Sequence, residues 1–94
     1  MYVFELGALG RSFATRGRGA ELRERLLADA TSSRVEVDFT GVTHVSSSFA
    51  DEFLGRLITD DQAVDLTVRG LTSDVERVVQ QVLARRGDRA LASR

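Results

Sequence analysis

Two hydrophobic rhythms alternate along this chain. Tyr2, Val3, Phe4 and Leu6 sit in a β-branched and aromatic run, which predicts a first strand over 2–6. Gly7 and Gly10 bracket a turn, and residues 11–15 predict a second strand pairing back as a hairpin. Arg16, Gly17, Arg18 and Gly19 read as a loop. From Gly19 the period lengthens. Leu22, Leu26, Leu27 and Ala30 share one helical face, opposite Glu21, Arg23, Glu24 and Arg25, and this helix should end near residues 31–33. Period two returns at 34–39, with Val35, Val37 and Phe39 on one face and Glu36 and Asp38 on the other. Thr40 and Gly41 turn the chain, and Val42 and Val45 remain apolar.

Three consecutive serines follow, and behind them Phe49, Phe53, Leu54, Leu57 and Ile58 make a second helical stripe that ends at Asp60 and Asp61. Ser48 and Asp51 have the spacing of a helix-capping pair, and Asp51 and Glu52 suit the positive end of the helix. Val64, Leu66 and Val68 alternate through a strand over 63–69, which Gly70 breaks. Thr72 or Ser73 can cap a last helix carrying Val75, Val78, Val79, Val82 and Leu83. Strands interleaved with helices in the order β-β-α-β-α-β-α imply crossover connections. The expected fold is a small α/β domain: a mainly parallel sheet, mixed at its N-terminal hairpin, packed by helices. Residues 1–86 form the domain in this reading, and 87–94 a flexible C-terminal tail.

Composition narrows the chemistry. Ninety-four residues with 43% apolar side chains make one small globular domain. A chain of this size buries only about 60–65% of its unfolded surface, so a deep catalytic cavity would cost much of its core. With no cysteine and one histidine, His44, neither a disulfide framework nor a Cys- or multi-His metal site is expected, and no cofactor. No run has the features of a signal peptide or the ~20 apolar residues of a membrane span, which points to the cytoplasm. The net charge of −1 gives no general field for nucleic acid. All 13 basic residues are arginine, which either the codon usage of a GC-rich genome or a need for planar, bidentate donors explains.

Ser46, Ser47 and Ser48 stand where a strand stops and a helix begins. One hydroxyl suffices to cap the helix, and Ser48 is the best placed by spacing. The other two can bond the turn's own backbone, meet a partner, or, at Ser47, accept a phosphoryl group. His44, the serines and Asp51 supply the letters of a hydrolase triad, but they crowd one turn without a Gly-x-Ser-x-Gly elbow. Asp51 and Glu52, adjacent on a helix, point about 100° apart and do not converge on a metal. Arg16, Arg18, Arg23 and Arg25, with Gly17 and Gly19, form a solvated loop and helix face or contact an acidic or phosphate-bearing partner, though no Walker pattern is present.

Residues 35–58 resemble a STAS domain, the fold of bacterial anti-sigma-factor antagonists. The strand falls on Val37, Asp38 and Phe39, the turn on Thr40 and Gly41, and the apolar pair on Val42 and Val45. The Asp-Ser-Ser-Gly of those proteins falls on Ser46, Ser47, Ser48 and Phe49, with the phosphorylatable serine at Ser47. The acidic residue and the glycine are thus replaced here. A closer resemblance is to the STAS-like family DUF4325, in Asp38, Phe39 and Val42 followed by Ser48, Phe49, Ala50, Asp51 and Glu52, and in the Arg-Gly run at 16–19. The resemblance implies a bacterial signalling module, not an enzyme. Its partner would carry a histidine-kinase-like ATPase domain, as an anti-sigma factor or related kinase does. The contact surface would comprise Thr43, His44, Ser46, Ser47, Ser48, Asp51 and Glu52, with Arg16 and Arg18 beside it. A small hydrolase or phosphotransferase using the serine turn, and a homodimer or other assembly paired through a sheet edge, are the alternatives.

Overall fold

The computed structural model describes residues 1–32, 34–59 and 65–85. Its strands are β1 (Tyr2–Glu5), β2 (Ser12–Phe13), β3 (Arg34–Asp38), β4 (His44–Val45) and β5 (Asp65–Arg69). Its helices are α1 (Arg16–Asp29), α2 (Ser47–Ala50), α3 (Arg56–Thr59) and α4 (Ser73–Arg85). A π-helical segment, Asp51–Gly55, joins α2 to α3 without a break, and a 3-10 turn, Leu6–Ala8, follows β1. The expected helix end at Asp60 and Asp61, Val64 of the last strand, Ser33 and the tail beyond Arg85 lie outside the described residues.

Two parallel sheets result, in the orders β1-β3-β5 and β2-β4. The register of the larger sheet follows the sequence alternation. Phe4, Val37 and Val68 form one row across it, and Tyr2, Val35 and Leu66 the next. These rows face the helices. Val3, Glu36 and Thr67, then Glu5, Asp38 and Arg69, form the opposite face. That face is polar and tied together by ion pairs from Arg69 to Glu36 (3.1 Å) and Asp38 (3.2 Å).

Two sequence expectations are corrected. β2 does not pair back on β1 as a hairpin; it runs parallel to β4, Ser12 opposite His44 and Phe13 opposite Val45. Every strand ladder among the described residues is therefore parallel, and the mixed edge is absent from them. Residues 16–19 are not a loop but the first turn of α1. Thr15 caps it, its hydroxyl accepting the Arg18 amide at 3.1 Å. Gly17 and Gly19, poor helix formers, had argued against a helix there. Gly19 has a packing reason: a Cβ on it would sit 2.9 Å from the Phe49 carbonyl oxygen and 3.1 Å from the Glu52 Cβ. Only glycine lets α1 lie this close to the α2–π junction.

The core lies between the larger sheet and the helices. Leu22 and Leu26 of α1, Phe49, Phe53, Leu54 and Leu57 of the central helical run, and Val75, Val79, Val82 and Leu83 of α4 are all buried. Four phenylalanines chain the two sheets together. Phe13 of β2 stacks on Phe49 at 5.1 Å, Phe49 meets Phe53 at 5.4 Å, and Phe53 meets Phe4 of β1 at 5.8 Å.

Candidate functional site

The serine junction is held in place by the small sheet. Arg11 carbonyl oxygen accepts the amides of Thr43 (2.8 Å) and His44 (3.2 Å), and the Thr43 hydroxyl at 3.2 Å. The Phe13 carbonyl accepts the Ser46 amide at 2.9 Å. Ser46 is the helix cap: its Oγ accepts the Phe49 amide at 3.0 Å and donates to the Ala14 carbonyl at 2.7 Å. The capping role expected of Ser48 thus belongs to Ser46. Ser48 and Asp51 have a suggestive side-chain spacing, but the true cap meets a backbone donor, which leaves no side-chain signature. Because Ser46 bonds the residue just before the Thr15 cap, α1 and α2 start side by side.

With Ser46 committed, Ser47 is exposed and Ser48 half-buried. Both open onto a groove of about 270 Å³ whose other walls are Arg16, Asp51 and Arg85. Behind the groove, one nitrogen of Arg16, Nη1, donates to Asp51 Oδ2 (3.2 Å) and to Glu52 Oε1 (3.1 Å). These bonds, that to Asp51 first, hold the Arg16 guanidinium pKa above its ordinary value. Glu52 is the buried charged side chain of the described core, 7% exposed. Its Oε2 faces Arg56 Nε at 3.3 Å and Arg23 Nη2 at 3.7 Å. One carboxylate therefore gathers three guanidiniums, from α1 at two points and from the start of α3. Against the expectation from their adjacency, Asp51 and Glu52 do converge: one oxygen of each lies within 3.2 Å of the same Arg16 Nη1.

The backbone here departs from α-geometry. The Arg56 amide donates to the Asp51 carbonyl, an i→i+5 bond of π type. The apolar spacing of 49, 53, 54, 57 and 58 is compatible with an ordinary helix, so nothing in the sequence signals it.

His44 is exposed and lines a second groove, of about 340 Å³, with Thr43, Val45, Asp74, Val75, Arg77 and Val78. It does not share the groove of Ser47 and Asp51, so the triad letters are not assembled. Arg18 pairs with Glu21 on its own helix (2.9 Å) and lines neither groove. Sequence reasoning missed Arg77 and Arg85, which α4 brings to the two grooves; their place depends on the packing of α4 across the junction. Among the described residues, no group of three His, Cys, Asp or Glu side chains is placed to hold a metal ion. None of the described helices is long and apolar enough to cross a membrane.

A helix-covered parallel sheet with a serine junction between strand and helix at its rim defines a STAS-like α/β domain. Residues 18–76 match the family model described as a STAS-like domain of unknown function (DUF4325), and the chain belongs to that family. Comparison with curated proteins and with solved structures gave no match. The departure at Phe49, where the antagonists carry glycine, has a structural counterpart. Phe49 is fully buried, stacked on Phe13 and in tilted contact with Phe53.

Proposed function

We propose that this domain is a regulatory protein–protein interaction module of the anti-sigma-factor-antagonist kind, binding a partner with a histidine-kinase-like ATPase domain. The observation that carries it is the division of labour among the serines. Ser46 is consumed by the fold, while Ser47 is presented to solvent beside Ser48 and two arginines, in an open groove rather than an enclosed catalytic cavity. The contact surface comprises Ser47, Ser48, Asp51 and Arg16, continuing through Thr43 and His44. Glu52, being buried, acts through Arg16. Binding follows the partner's nucleotide state, and Ser47 is the candidate phosphosite should that partner be a kinase. An enzyme using the serine turn is disfavoured, since His44 lies in the other groove.

Affinity capture from the native cell, run with ADP and with ATP, tests the reading. Nucleotide-dependent recovery of an ATPase-domain protein, reduced by Ser47→Arg, is expected; recovery of none overturns it. Phosphopeptide mass spectrometry of the same material tests Ser47, and an unmodified 46–48 peptide under all growth conditions removes the phosphosite. A second reading, self-assembly through the edge of β1, draws on Met1 and Val3, the exposed large hydrophobics of the described surface. A concentration-independent dimer by light scattering, with no ATPase captured, would replace the first reading with it.

A further inference from the structure

We propose that α4 completes this docking surface, and that Arg85 and Arg16 together receive a carboxylate side chain of the protein partner. The inference rests on the interaction-module reading and names the chemistry of its contact. Around the serine groove the chain's weak negative balance is reversed. Arg16, Arg23 and Arg56 pair with two carboxylates, Asp51 and Glu52, and Arg85 lines the groove with Asp51. Three of those guanidiniums are engaged by the two carboxylates. Arg85 has no carboxylate partner among the described residues, and it stands on the groove wall with Arg16. Ser47 and Ser48 line the same groove and add hydroxyl donors. Two planar cations and two hydroxyls around an open cleft suit an anion that accepts several hydrogen bonds at once.

The groove on the other flank of the junction does not compete. Its lining balances one arginine, Arg77, with one carboxylate, Asp74, 3.4 Å away, where the serine groove sets two arginines against one carboxylate. The proposed partner is a protein, whose ordinary anionic side chains are aspartate and glutamate, so the occupant is a carboxylate, and a phosphate monoester is an outcome of the test.

The test uses the whole isotope-labelled protein, titrated with the blocked peptide acetyl-Asp-Glu-Asp-Glu-amide, with orthophosphate and with chloride at equal ionic strength. NMR follows the amides of Ser47 and Ser48 and the guanidinium Nε–H groups. The peptide should shift Ser47, Ser48, Arg16 and Arg85 saturably. Arg85→Gln should weaken this about two- to fivefold, the factor an exposed ion pair supplies. Arg25→Gln, on α1 facing Asp29, should leave it unchanged. Shifts spread over all arginines, reproduced by chloride, or untouched by Arg85→Gln would overturn the site. Tighter binding of phosphate than of peptide would overturn the carboxylate. ATPase capture that is lost while the peptide still binds overturns the module's partner but keeps the groove; capture indifferent to Arg85→Gln keeps the partner and removes the groove's role.

Discussion

Ser46 and Ser47 are chemically identical neighbours with opposite duties. Ser46 Oγ accepts one buried-side amide and donates to a carbonyl of another segment, so its removal orphans both. Ser46→Ala should cost about 1–2 kcal/mol in urea unfolding, whereas Ser47→Ala should stay within about 0.5 kcal/mol, as exposed substitutions do. Asp38 is a second residue with a fixed duty. Its carboxylate accepts the Thr40 hydroxyl (2.6 Å) and amide (2.9 Å), and then Arg69. These bonds, the Thr40 hydroxyl first, hold its pKa below the ordinary carboxylate value. A folded-state pKa below the unfolded one means that Asp38 stabilises fully above the unfolded value of about 4 and loses this as pH falls through the folded value. The gap in urea midpoint between the natural protein and Asp38→Asn should therefore be wide at neutral pH and close on acidification. Thr40→Val should move the Asp38 titration, read by carboxyl NMR, upward. Part of this scale is legible in the sequence: the alternation puts Asp38 and Glu36 on the polar face, and of the two cap candidates, Thr72 and Ser73, it is the Thr72 hydroxyl that accepts the Val75 amide, at 3.3 Å. The role of Ser46 is not, because three adjacent hydroxyls look alike until the amide that each can reach is known.

At the scale of elements, strong periodicity was readable and close approach was not. β3, β5, the central helical run and α4 follow from alternation or stripe because each buries one face. The start of α1 was misread because Gly17 and Gly19 weaken a helix locally, while the reason for Gly19 lies some thirty residues away, at Phe49 and Glu52. Gly19→Ala isolates that conflict. Alanine is the better helix former by about 1 kcal/mol, yet its methyl would press on the Phe49 carbonyl. The variant should be destabilised by about 1–3 kcal/mol, as overpacked sites are, with a lower thermal midpoint. A rise instead would mean that α1 can lift away from the α2–π junction without loss. The two-residue strands β2 and β4 were unreadable as a pair for a related reason: two residues carry no period, and their partner is remote in sequence.

For the molecule as a whole, the pairing scheme carries a consequence for how the chain reaches this structure. Tyr2 meets Val35, Ser12 meets His44 and Arg34 meets Asp65, so each described ladder closes a span of about thirty residues. Among the described residues no hairpin offers a cheap first step, and each of these pairings must meet its loop-closure entropy before its sheet contacts form. Refolding should accordingly lag behind helical bundles of equal length, falling in the milliseconds-to-seconds range of domains dominated by remote pairings. Stopped-flow dilution from urea measures this directly, and a microsecond phase carrying the full amplitude would contradict it. With no proline in the chain, no slow phase from prolyl isomerisation should trail the main one. During synthesis, β3 cannot be flanked on both sides until β5 has emerged, so the serine junction is translated before the larger sheet can be completed.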